Sequence, residues 1–193
     1  MDDEGIKSAY ELAMERISAL PQLTPQEIAE QKEKENAPIG MAIAVKYLGG
    51  GLSEAELPAE LTRYEGERQR LIRRTMLSYL CGEINFKNTP QNVLKALRGA
   101  LAVAPHGKGR CEEASKVFSQ TLDEFEEVKE KGLAEFAALA RRRMKDLGID
   151  GSAVRPNMNE DERWKQELSA TQQAFEPKLE IIRKNLLDAL LRG

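Results

Sequence analysis

Two stretches of the chain, 110–147 and 159–191, each hold their apolar residues in one helical phase from end to end. In the first, Ala114, Phe118, Leu122, Phe125, Phe136, Ala140 and Leu147 fall close to one stripe. In the second, Trp164, Leu168, Thr171, Phe175, Leu179, Ile182, Leu186 and Leu190 do the same. Steps of three and four are the period of an α-helix with one covered face. Helices of these lengths would reach roughly 57 and 50 Å, whereas a compact globule of this size is only about 40 Å across. The expectation is an all-α, elongated helical bundle whose two long C-terminal helices fold back as an antiparallel hairpin, coiled along apolar seams.

The phase of the second stretch continues through Pro177, which favours one kinked helix over two. Glu112 and Glu113 at the start of the first stretch, and Arg141, Arg142, Arg143 and Lys145 at its end, complement the helix dipole. Residues 148–158 read as the connecting loop, with Asn159 and Glu162 capping the second helix. Gly132 lies within the apolar stripe, where glycine costs about 1 kcal/mol against alanine. Either another helix crosses closely there, or the glycine is tolerated without a packing role.

The N-terminal part reads as shorter helices. Ile6, Tyr10, Ala13, Ile17 and Leu20 mark a helix over 4–20, ended by Pro21. Thr24-Pro25-Gln26-Glu27 is a capping box with proline at the first helical position. Pro38 predicts a break or kink, and an apolar run over 39–48 leads to Gly49-Gly50-Gly51, a hinge or helix stop. Ser53 and Glu56 form a second capping box, Pro58 interrupts early, and a helix is expected over 59–80. After a loop over 82–89, Thr89-Pro90-Gln91 opens a helix to about residue 104. Pro105-His106-Gly107-Lys108-Gly109 reads as a second hinge. A helical region 1–106 and a hairpin 107–193 are thus expected, packed together as one domain.

Charge narrows the class of partner. The chain carries 29 basic and 32 acidic residues, a net charge of −3, which disfavours non-specific nucleic-acid binding. The local exception is Arg63, Arg70 and Arg74, one stripe opposite Leu61, Tyr64, Ile72, Thr75 and Tyr79. It reads as a solvated face, able to meet the acidic run Asp123, Glu124, Glu126, Glu127 and Glu130 within or between chains, or alternatively an anion or nucleic acid. Arg68 differs: it projects into the apolar stripe, to snorkel or to meet a buried carboxylate in helix packing. No stretch is long and apolar enough to span a membrane, and the acidic start lacks the apolar core of a signal peptide. Two cysteines, Cys81 and Cys111, are too few for a disulfide framework, so a reduced, cytoplasmic location is expected.

Motifs for chemistry are sparse. His106 is the sole histidine, and its spacing from Cys81 and Cys111 fits no zinc ribbon or finger. No metal, cofactor or catalytic set is implied. Lys108 and Arg110 in Gly107-Lys108-Gly109-Arg110 precede a helix, where backbone amides can hold an anion, but the phosphate-loop spacing is not met. The last helix is more informative. Ile181, Leu187 and Leu191 add a second apolar face, widening the arc to roughly 200°, more than one covered face needs. Either several helices of the same chain bury this wider arc, or these three residues contact a partner, a second copy foremost.

Ile6-Lys7-Ser8-Ala9-Tyr10-Glu11-Leu12-Ala13, Leu23-Thr24-Pro25-Gln26-Glu27 and Ala44-Val45-Lys46-Tyr47-Leu48 are similar to an uncharacterised family of small bacterial helical proteins. The likeness covers roughly the first third of the chain. It implies a cytoplasmic bacterial protein and carries over no site residue. The expectation is a non-catalytic interaction or assembly protein, a homodimer, with a ligand-binding or enzymatic bundle holding a pocket among the N-terminal helices as the alternative.

Overall fold

The computed structural model describes residues 8–10, 14, 24–149 and 156–192. Among them there are six α-helices and no strand: α1 (Pro25–Leu48), α2 (Glu56–Leu61), α3 (Gly66–Gly82), α4 (Pro90–Val103), α5 (Lys108–Asp146) and α6 (Glu162–Leu191). The helix expected over 4–20 lies outside the described residues, apart from Ser8, Ala9, Tyr10 and Met14.

α1 begins as its capping box requires. The Thr24 hydroxyl accepts from the Glu27 amide at 3.2 Å, and the Glu27 carboxylate accepts from the Thr24 amide at 2.7 Å. Pro38 does not break this helix, contrary to expectation. The carbonyl it leaves without a donor is that of Lys34, and both residues are exposed, so water can take the place of the missing amide. Beyond it Gly40, Ile43, Ala44 and Tyr47 are buried. Gly40 lets α1 lie directly on α3: a Cβ there would stand 2.5 Å from the Ile72 carbonyl oxygen.

The helix expected over 59–80 is two helices. Pro58 sits in the first turn of α2, where no amide donor is needed, so it starts the helix instead of interrupting it. The chain then turns between α2 and α3. Thr62 Oγ1 donates to the Ala59 carbonyl at 2.8 Å and Gln69 Nε2 to the Leu61 carbonyl at 3.0 Å, closing the end of α2. Gly66 takes φ +58°, which glycine reaches without strain. After α3, Asn85 Oδ1 accepts from the Lys87 and Asn88 amides and fixes the loop before α4. Thr89 caps α4 by accepting from the Asn92 amide at 3.3 Å.

Residues 105–109 are no hinge. A single 3-10 turn, Pro105–Gly107, runs straight into α5. Gly107 is buried beneath Leu190, and a Cβ at Gly107 would stand 2.2 Å from Leu190 Cδ2. The two ends of the C-terminal region therefore meet at its base. From there α5 and α6 run antiparallel: Glu124 faces Lys178, Phe125 faces Phe175, and Gly132 and Phe136 face Trp164. Each step outward on α5 is matched by a step back on α6. α6 passes through Pro177 without ending, and its cap is Asp161, two residues past the Asn159 expected; the Asp161 carboxylate accepts from the Arg163 and Trp164 amides.

One core joins both regions. Cys111, Ala114 and Phe118 of α5 and Leu179, Ile182, Leu186 and Leu190 of α6 cluster with Tyr47, Leu57, Met76, Leu80, Val93 and Leu97. Three rings mark where the bundle stops. Phe86, from the loop after α3, stacks on Phe125 at 4.3 Å between centroids and meets Phe175 edge-on at 6.1 Å. From Phe125 to Asp146, α5 continues for about 30 Å, sealed to α6 by its own seam.

The close approach of α1 to α3 sets a test. Gly40→Ala should lower stability by about 1–3 kcal/mol, as overpacking against backbone does. Gly109→Ala, in the first turn of α5 with nothing within 4 Å of the added Cβ, should leave stability unchanged or slightly raised. Urea midpoints followed by circular dichroism read both.

Candidate functional site: the outer groove of the hairpin

The outward side of the hairpin carries a groove of about 320 Å³ between the start of α5 and the end of α6. Ala114, Ile182 and Leu186 form its buried floor, and Val117 and Ile181 stand up as walls, 39% and 60% exposed. Arg110, Glu113, Asp188 and Arg192 line its rim. The groove exists because both helices keep an exposed apolar residue beside a buried one: Val117 near Ala114, and Ile181 next to Ile182. A second groove of about 480 Å³ lies at the far end, between Phe136, Leu139 and Arg143 of α5 and Arg163, Glu167 and Ala170 of α6. Between the two, Lys178 Nζ donates to Glu124 Oε2 at 2.6 Å across the helices.

The expected site residues fall in different places. Ile181 is the most outward of the three proposed partner contacts, and Leu191 is 37% exposed. Leu187 instead packs against the core from its edge. At Gly132, Trp164 of α6 stands close, with Cζ3 3.2 Å from an added Cβ. Arg68 meets an amide where a carboxylate was one expectation. Its Nε donates to Asn36 Oδ1 at 3.0 Å, while its guanidinium sits 5.1 Å from the centre of the Tyr64 ring. Asn36 is itself buried and donates to the Lys32 carbonyl at 2.7 Å.

Lys108 and Arg110 are exposed at the start of α5, and Arg110 Nη1 lies 2.9 Å from the Glu113 carboxylate. Arg63 pairs with Glu60 at 2.8 Å, and Arg63, Arg70 and Arg74 are all exposed. The acidic run pairs within the hairpin: Glu124 with Lys178, Glu126 with Lys129 and Glu127 with Lys131. Exposed pairs of this kind each contribute little to stability. Lys131 holds the Glu127 carboxyl below its ordinary range.

Cys81 and Cys111 are both buried, and His106 is exposed on the 3-10 turn. Burial pushes the Cys81 thiol up to about 12, with Cys111 nearby adding to the effect. Burial raises Cys111 as well, helped by Glu112. These are protonated, inert thiols. Among the described residues, no group of three His, Cys, Asp or Glu side chains could hold a metal ion, and no helix is long and apolar enough to cross a membrane. Among the N-terminal helices, a cleft of about 370 Å³ lies between Lys32, Glu35, Asn36, Glu67, Arg68 and Leu71. Four of its polar members are joined in pairs. Lys32 Nζ lies 2.5 Å from Glu67 Oε2, and Arg68 reaches Asn36. What the outer hairpin groove offers is an apolar slot with a rim of both charges, suited to the side chains of another helix.

No family model, curated protein or solved structure matches this chain.

The thiols give a test of the packing at the hairpin base. At pH 8, a thiol with a pKa of about 12 is ionised in roughly one molecule in ten thousand. Iodoacetamide at that pH should leave Cys81 unmodified in the folded protein and alkylate it rapidly in urea, as read by intact mass. Fast native alkylation would contradict the burial described.

Proposed function

We propose that the protein is a non-catalytic helical interaction or assembly protein that acts as a homodimer in the cytoplasm. The observation that carries this reading is the projecting hairpin. It continues past the Phe86, Phe125 and Phe175 contact as a pair of helices, and a pair can cover only one face of each member. Val128, Leu133 and Leu139 are exposed on its outer length, as Val117 and Ile181 are nearer its base. Such a projection presents extended surface, which is what an assembly component needs.

Light scattering on the purified chain, over a concentration series, tests this. The expected mass is twice 21.6 kDa, falling toward one chain on dilution. A mass of one chain at every concentration would overturn the homodimer.

A further inference from the structure

The second half of α1 is apolar on every side but the edge that carries Lys46. From residue 37 to residue 51 the sequence has a single charge, Lys46. One face, Gly40, Ile43, Ala44 and Tyr47, is buried in the bundle. At 100° per residue the opposite face brings together Pro38, Met41, Ala42, Val45 and Gly49. All five are exposed, Met41 and Val45 each at 48%. A helix that is apolar all round belongs in an interior. The outer face of the hairpin is a weaker candidate: on α5, Val117, Val128 and Leu139 share their line with Glu113, Glu124, Lys131 and Glu135. Isolated apolar residues among charges are ordinary surface, whereas an unbroken apolar face is not.

We infer that this face of α1 is the self-association surface, occupied by α1 of a second copy in antiparallel orientation. This rests on the homodimer proposed above and names its contact. The charge along the helix favours a second copy over the chain's own N-terminal segment. On the same face, N-terminal to Pro38, lie Glu27, Glu30, Gln31 and Lys34. A segment returning from Thr24 would lie on these polar residues for about 20 Å before reaching Pro38. Tyr10, from the apolar stripe of that segment, is 73% exposed, and Met14 is 49% exposed.

A second α1 meets no such mismatch. With a two-fold axis between Met41 and Ala42, Met41 opposes the partner's Ala42, and Pro38 opposes the partner's Val45. Large then meets small, and the rows 38–42 and 41–45–49 are the i, i+4 ridges that interlock in the commonest helix crossing. The same symmetry sets Lys34 beside the partner's Gly49, at the negative end of the partner's helix. Among the described residues Lys34 forms no ion pair, so its charge is free to serve there.

Cross-linking tests the geometry. Ala42→Cys, in the full chain and under mild oxidation, should give a disulfide-linked dimer as the main species, because position 42 lies beside the axis. Ile181→Cys should stay at the background of the parent, whose own cysteines are buried. In light scattering, Val45→Glu should weaken the dimer by about 100-fold or more, since it would bury an unpaired charge, while Ile181→Glu leaves it unchanged. A dimer lost in Ile181→Glu but kept in Val45→Glu overturns this surface and leaves the homodimer standing. A parent protein of one-chain mass throughout overturns both. A one-chain mass with a Val45→Cys thiol shielded from a thiol reagent would show that the chain's own residues cover the face.

Discussion

The seat of Leu190 over Gly107 is the contact on which the architecture turns. It joins the last turn of α6 to the start of α5, so a long hairpin closes on itself at its root. A Cβ at Gly107 would push the end of the Leu190 side chain out of its seat. With that closure made, Leu179, Ile182 and Leu186 enter the same core as the N-terminal helices. Burial of that many aliphatic side chains outweighs anything the exposed ion pairs can add, at roughly 1.5–3 kcal/mol for each fully buried side chain.

Much of this was legible from the sequence, because long helices repeat their signal. The stripes from Ala114 to Phe136 and from Trp164 to Leu190 fix the class, the hairpin and its seam, and Gly132 marks where Trp164 crosses. The errors fell where one residue decides between two outcomes. Pro38 and Pro58 look like breakers in a linear reading. Whether they break a helix depends on the exposure of the freed carbonyl and on the position within the first turn, and neither is visible in the residue itself. Glycines were ambiguous for the same reason. Gly66 supplies a turn, while Gly107 supplies a close contact in a segment that reads as a hinge.

The site was less legible than the fold. Ile181, Leu187 and Leu191 were selected by the width of an apolar arc, but an arc does not say which edge of it a neighbouring helix covers. Leu187 went to the core and Ile181 to solvent. Val117 escaped notice because it lies just outside the stripe on α5. The apolar run in α1 was visible, yet its outward half gained meaning only once α3 and α4 were seen to cover the other half.

The rings of Phe86, Phe125 and Phe175 divide the long helices into lengths of unequal cooperativity. Inside them, a turn of α5 opens only if the bundle opens. Outside them, Trp164 is the one large residue closed off from water among the described residues, and opening costs only the loss of contacts between two helices. Amide exchange should accordingly be graded along a single helix, slowest at the root and fastest toward the tip. A chain built in this way can dissolve its outer third while its anchored end stays native.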